Sequence, residues 1–233
     1  MERNARGRRT ALFTKRPEPG HVKTRLCPPL APEEAAHLAA AMLRDTLEKC
    51  LAGDFETTLV FAPESAAAWF RSEFPRPAQQ VAQRGEGLGA RLAHFVRTAF
   101  EEGATTSLVV IGSDQPLVPL ARLEEAHARL AAGADLVLGP DRGGGYYLVG
   151  LRAPRDELFT AVTMSSAGMC AATAAFARAR GLAVARLAED DDIDTPADLA
   201  RLSTHLAHSN PEFTRHTRAA LAALSQRITS LQP

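Results

Sequence analysis

Short β-rich runs alternate with amphipathic helical stretches along most of this chain. Ser107 to Ile111 is a continuous run of the kind a central parallel strand needs, because such a strand is covered on both faces. Arg9 to Thr14, Thr57 to Phe61, Gln79 to Gln83, Asp135 to Leu138, Tyr146 to Leu151 and Leu182 to Leu187 supply further predicted strands. A helix opens at Pro32, where proline is tolerated. Glu33 and Glu34 favour its first turn, and Leu38, Met42, Leu43 and Leu47 give it an apolar stripe. Other helices are predicted over Glu64 to Arg71, Leu88 to Glu101, Pro119 to Ala131, Ala167 to Arg180 and Pro196 to Leu206. Pro211 to Leu231 reads as a closing helix that packs on the domain or on a partner. The alternation predicts an α/β fold with a mostly parallel, doubly wound sheet.

The chain has 233 residues, which suits one large domain with a buried core. Its organisation reads as a tail over residues 1–9, a catalytic domain over 10–206 and a helical extension over 207–233. Formal net charge is zero, which favours neither nucleic acid nor a membrane surface as a partner. No apolar run approaches the roughly 18 residues of a membrane span. The arginines of the first nine residues are not followed by a secretory apolar stretch, so a cytoplasmic setting is expected. Cys27, Cys50 and Cys170 are widely spaced, and reduced thiols fit that setting.

Of 27 basic residues only Lys15, Lys23 and Lys49 are lysine, and two of these share one loop. That loop, Thr14 to Leu26, follows the first strand directly. Ligands of open α/β sheets bind at the carboxyl ends of strands. Lys15, Arg16, Lys23 and Arg25 supply cations for a pyrophosphate, and Gly20 allows close backbone approach. The competing reading is a solvated basic loop.

A lone acid at the end of a buried strand, Asp114 after Gly112 and Ser113, can hold a divalent cation between phosphate oxygens. The alternative is a helix cap. In Asp190 to Asp198, Thr195 and Asp198 have capping-box spacing, so Asp198 reads as structural. Asp192 and Asp194 point the same way if the stretch is extended, and Asp194 is favoured as the second metal ligand. Gly143, Gly144 and Gly145 permit close approach to a ligand or simply make a turn. Tyr146 lines the acceptor site or packs in the core. Gly85-x-Gly87-x-x-Ala90 is too isolated for a dinucleotide fingerprint. It fits a nucleobase-binding turn, with the Gln83 amide on a base edge.

Taken in order, Lys15-x-Pro17-x-Pro19-Gly20-x-Val22-Lys23-Thr24-Arg25-Leu26, Gly112-Ser113-Asp114-x-Pro116, Gly139-Pro140, Gly144-Gly145-Tyr146-Tyr147-Leu148 and Asp192-Ile193-Asp194-Thr195-Pro196 resemble the DUF2064 group. The resemblance covers roughly residues 10–205. It implies a GT-A (Rossmann-like) three-layer sandwich of the nucleotide-diphospho-sugar transferases, near the 2-phospholactate guanylyltransferases. It implies Mg²⁺ or Mn²⁺ on Asp114 and Asp194, and phosphate on Lys15, Lys23 and Arg25. The family's Asp-Gly-Gly-Tyr appears here with Gly143 in the Asp place, and Asp141 stands two residues away as its substitute. Met164-Ser165-Ser166 replaces a Trp-Ser-Thr-like stretch. Both departures lie on the acceptor side.

The leading expectation is glycosyl transfer from a nucleotide sugar to a small acceptor, with Asp114, Lys23, Arg25 and Asp141 catalytic. The second is nucleotidyl transfer from an NTP to a phosphorylated small molecule. A third is a non-catalytic nucleotide-binding protein. The closing helix suits a homodimer seam.

Overall fold

The computed structural model describes residues 7–77, 79–164, 166–206, 208 and 211–225. A seven-stranded sheet runs in the order β3-β2-β1-β4-β6-β5-β7. Its strands are β1 (Arg8–Lys15), β2 (Glu56–Ala62), β3 (Gln79–Ala82), β4 (Ser107–Gly112), β5 (Leu136–Pro140), β6 (Tyr146–Leu151) and β7 (Val184–Arg186). The central strand β1 pairs in parallel with β2 on one side and β4 on the other.

Side chains on the strands alternate between two apolar layers, which is the period-2 signature of a sheet buried on both faces. Leu12, Leu59 and Ile111 face one layer with α1 (Pro32–Ala52), α2 (Ala67–Glu73) and α4 (Leu120–Ala131). Ala11, Phe13, Val60 and Val110 face the other with α3 (Gly87–Glu101), α5 (Glu157–Thr160) and α6 (Met169–Arg178). These make the three layers expected from the resemblance. No helix among the described residues is long and apolar enough to cross a membrane.

A third apolar cluster lies off the sheet. It joins Leu26 and Leu30, the outer face of α1, Ile193, and α7 (Pro196–Leu206) with α8 (Arg215–Ala223). The closing helix begins at Arg215 rather than Pro211, and residues 226–231 of that prediction lie outside the described residues. Its amino end is held by Asp45 of α1, whose carboxylate accepts the His216 and Thr217 amides at 3.1 and 2.7 Å. The helix therefore packs on its own domain, and α1 supplies the cap that Thr214 does not.

Two further points depart from the sequence reading. β1 starts at Arg8, so Arg8 and Arg9 belong to the sheet rather than to a tail. Arg9 is buried, and its guanidinium meets Glu102 at 2.7 Å. β6 runs antiparallel to both β4 and β5. The five residues Asp141 to Gly145 are too few for a crossover, so the strands they join must run in opposite directions.

That short link explains its glycines. Gly144 has φ +87°, and a Cβ there would sit 1.6 Å from the Ala167 carbonyl oxygen. The Gly144 carbonyl accepts the Cys170 amide at 2.9 Å, seating the link on the start of α6. Gly144 is thus required by packing of backbone on backbone. Tyr146 also packs against the protein. Its ring packs on the second apolar layer and its hydroxyl donates to Met164 Sδ at 3.7 Å.

The sheet also encloses a histidine. His127 of α4 is 2% exposed, with Nε2 at 3.0 Å from Thr10 Oγ1 and Nδ1 at 2.9 Å from Ser107 Oγ. Burial, helped by the charge of Arg8, lowers its pKa to about 3. The folded state therefore refuses a proton that the unfolded state accepts below about pH 6.5. Stability attributable to this ring is intact above that pH and falls as pH drops toward 3. Between pH 7 and pH 5, His127 should cost the wild type about 2 kcal/mol. Urea melts should show that extra loss in wild type and not in His127→Gln; equal losses would show that His127 does not titrate this way. Gly144→Ala should destabilise by about 2–4 kcal/mol, summing left-handed strain and overlap. Gly20→Ala, where a Cβ meets nothing within 4 Å, should lose only the strain part. Urea midpoints of both variants check the contrast, and equal losses would remove the role given to Ala167.

Candidate active site

Beyond Lys15 the chain is anchored at once, because the Arg16 amide donates to the Ala62 carbonyl at the end of β2. A turn follows, in which the His21 amide reaches the Glu18 carbonyl at 3.0 Å. Gly20 serves that turn with φ +76°. It does not line the pocket beside it.

Lys23 then takes φ 49° and ψ 34°, the left-handed region. It is the one non-glycine residue with positive φ among the described residues. Such a conformation costs about 1–2 kcal/mol. The chain bears it because Leu26, three residues on, is fully buried in the third apolar cluster. A short 3-10 turn, Thr24–Leu26, carries the backbone there.

The result is a buried ammonium. The Lys23 side chain is 4% exposed, and its Nζ lies 2.8 Å from Asp114 Oδ2 and 2.8 Å from Asp194 Oδ1. Both carboxylates are 43% exposed toward solvent. Burial alone would drive the ammonium's pKa down. The charges of Asp114 and then Asp194 outweigh it, so Lys23 sits above the ordinary lysine value.

Each carboxylate is held by its own loop. Asp114 follows β4, where Ser113 Oγ accepts from Thr14 Oγ1 at 3.2 Å. Below that loop Lys49 of α1 is 2% exposed and donates to the Pro116 carbonyl at 2.8 Å. Burial lowers the Lys49 pKa to about 8. Asp194 follows Ile193, which is 2% exposed in the third cluster. The next two amides, together with their hydroxyl, close a cap. Asp198 Oδ2 accepts from the Asp194 amide, the Thr195 amide and the Thr195 hydroxyl at 3.1, 2.7 and 2.8 Å. The capping role read for Asp198 holds.

Two more acids approach. Asp141 lies in a bridge with Asp190, and its Oδ1 accepts the Gly145 amide at 3.0 Å. Asp192 is pushed up to about 7, first by burial and then by the charges of Asp114, Asp141 and Asp194. Asp192 thus feels three other carboxylates and the Lys23 ammonium at once.

Above them opens a pocket of about 700 Å³. Its walls include the predicted residues Lys15, Lys23, Arg25, Gln83, Gly87, Ser113, Asp114 and Asp194. Asp141, Asp192, Gly144 and Tyr146 do not line it. Gln83 reaches the wall, but its Nε2 donates to the Thr14 and Val60 carbonyls at 2.9 and 3.1 Å. That amide ties β1 to β2, so its donor is engaged within the protein. Gly87 opens α3 with φ +78°, directing the positive end of that helix at the pocket. Sequence reading passed over Arg91 and His21, which also line the pocket. Arg91 stands four residues after Gly87, one helical turn along the same face, and that spacing was the available signal.

A second group of ligand-type atoms, from Asp45, Glu48 and His216, lies within 4.8 Å at the α1–α8 seam. Asp45 there caps α8, and Glu48 Oε1 already accepts from Arg215 at 2.6 Å. That group serves helix docking.

Comparison with known proteins places the chain in a family. The family model "Uncharacterized protein conserved in bacteria (DUF2064)" matches residues 46–166. A phosphoenolpyruvate guanylyltransferase of Sphaerobacter thermophilus is 32% identical over 191 residues, covering 79% of this chain and 87% of that protein. A 2-phospho-L-lactate guanylyltransferase of Methanocaldococcus jannaschii is 30% identical over 132 residues. That match covers 57% of this chain and only 55% of the relative, so about half its length is spanned. A Desulfovibrio desulfuricans G20 protein, provisionally assigned as a nucleotide-diphospho-sugar transferase, superposes with TM-score 0.87 at 30% identity. It covers 96% of this chain and 97% of its own. The fold is therefore that of the nucleotide-diphospho-sugar transferases, the relatives are transferases, and the chain belongs to the DUF2064 family.

Proposed function

We propose that this protein is a metal-dependent nucleotidyltransferase that joins a nucleoside monophosphate, from GTP first of all, to a small phosphorylated acceptor. The observation that carries this reading is the convergence of Asp114 and Asp194 on one point, 2.8 Å from each, in a pocket walled by Lys15, Arg25 and Arg91. The two relatives named as guanylyltransferases, one for phosphoenolpyruvate and one for 2-phospho-L-lactate, support the nucleotide and the acceptor class.

The residues fit a divalent cation. Two hard carboxylate oxygens converge, half-exposed, and leave room for water and phosphate oxygens, the donor set Mg²⁺ or Mn²⁺ takes. When bound, such an ion neutralises charge on the triphosphate and its leaving group. Asp114 and Asp194 would hold it, and Asp192 would stand beside them as a further acid.

The chain's own residues supply position and charge. An oxygen of the acceptor phosphate forms a bond to the α-phosphorus, and the bond from that phosphorus to the β-phosphate bridging oxygen breaks. Pyrophosphate leaves with the electron pair. Lys23, Lys15 and Arg25 share the charge that grows on it, and the start of α3 at Gly87 adds its amide dipoles. The nucleophile is already an anion, so no general base is required. Asp141 supplies the acid that position 143 lacks. A Cβ on Gly143 would lie 3.0 Å from Asp141 Oδ1, so the Asp141 carboxylate fills the space a side chain there would enter.

Glycosyl transfer from a nucleoside diphosphate sugar is the second reading. Its support is the near-complete coverage of the Desulfovibrio protein at 30% identity. The products separate the two. With GTP and a phosphorylated hydroxy or enol acid, nucleotidyl transfer releases pyrophosphate. With GDP-sugar, glycosyl transfer releases GDP. Asp114→Ala should lower pyrophosphate release about 10²–10³-fold while the melting temperature stays within a few degrees. Release of GDP from the sugar conjugate, with none of pyrophosphate from GTP, would replace the first reading by the second. Full activity in Asp114→Ala would remove the metal assignment from both.

A further inference from the structure

The carboxylates that fit a divalent cation are already shared by a cation of the chain itself. Lys23 Nζ stands at 2.8 Å from both Asp114 Oδ2 and Asp194 Oδ1. A divalent ion bonded to the same two oxygens, at about 2.1 Å for Mg²⁺, falls within the space of that ammonium. Like charges at such a separation repel strongly in a site shielded from water. Ion and ammonium therefore exclude each other between these oxygens.

Displacing Lys23 has a condition. Its side chain is 4% exposed, and a buried ammonium stripped of its partners is strongly disfavoured unless another anion takes their place. Asp192 and Asp141 would be drawn to the arriving metal as well. The pocket wall around Lys23 is otherwise cationic or neutral: Lys15, Arg25, Arg91, His21 and Ser113. A new anionic partner has to come with the ligand. Lys23, with its left-handed backbone, lines the pocket together with both of its carboxylate partners.

Building on the metal reading above, we propose that the site takes its divalent cation only together with a polyphosphate, because Lys23 exchanges its two carboxylate partners for phosphate oxygens as the ion takes them. Lys23 is the internal counter-ion that keeps Asp114 and Asp194 facing each other until that exchange. The ligand recognised is thus the metal–polyphosphate complex as one unit. The free ion is held off.

The test is Mn²⁺ binding, followed by the electron paramagnetic resonance signal of free Mn²⁺, with inorganic tripolyphosphate as a probe independent of nucleobase. Wild type should bind Mn²⁺ weakly alone, and at least tenfold more tightly as the tripolyphosphate complex. Lys23→Met should bind Mn²⁺ alone at least tenfold more tightly than wild type, since nothing then competes for the carboxylates. Lys23→Gln, checked with Lys23→Met by circular dichroism, guards against a folding defect and should behave the same way. Equal Mn²⁺ affinity in wild type and both variants would overturn the exchange and leave the two-carboxylate metal site standing. Absence of Mn²⁺ binding in every protein, with and without tripolyphosphate, would overturn the metal reading and this proposal with it.

Discussion

One buried ammonium organises the working end of this protein. Lys23 joins three segments far apart in sequence: the loop after the first strand, the loop after the fourth, and the stretch leading into α7. Without a cation at that point, Asp114 and Asp194 would face each other as like charges, with Asp192 and Asp141 close behind. A half-exposed carboxylate interacts weakly with a surface partner, but the Lys23 side chain is almost wholly enclosed, so its attraction is little screened.

The ion triad is set by apolar packing. Leu26 and Ile193 lie in the same cluster off the sheet, and each is close in sequence to a member of the triad. Burial of those two side chains against α1 and α7 delivers Lys23 and Asp194 to a common point. Asp114 arrives independently, on the end of a fully buried strand. Lys49 supports its loop from below through the Pro116 carbonyl. An acid of α1, Asp45, caps α8 and so closes the cluster from outside. Charged groups in this structure are thus positioned by the hydrophobic surfaces beside them.

The link between β5 and β6 is built differently. Asp141 to Gly145 is a tight reversal between antiparallel strands, pressed onto the start of α6. Its glycines answer to the Ala167 carbonyl and to the Asp141 carboxylate, and to no feature of the pocket. The reversal folds Asp141 back over Gly143, so its carboxylate lies 3.0 Å from where a Cβ on Gly143 would sit.

Much of this was legible in the sequence. The order of strands and helices followed from periodicity, and most boundaries fell within two residues, because buried strands and amphipathic helices carry their own patterns. The cationic loop and Asp114 were readable from their place after buried strands, and Asp194 from its spacing with Asp192. Thr195 and Asp198 declared their cap by spacing alone. Other features belong to the tertiary structure. No local pattern shows that Lys23 pairs with acids 91 and 171 residues away. Gln83 carries the same amide whether it reads a base or ties two strands, and only its neighbours decide. Gly144 and Tyr146 likewise have residue types that suit both a site and a turn. Local sequence fixes which conformations and charges a segment offers. Which of them meet is decided by long-range packing, and that information resides in the fold.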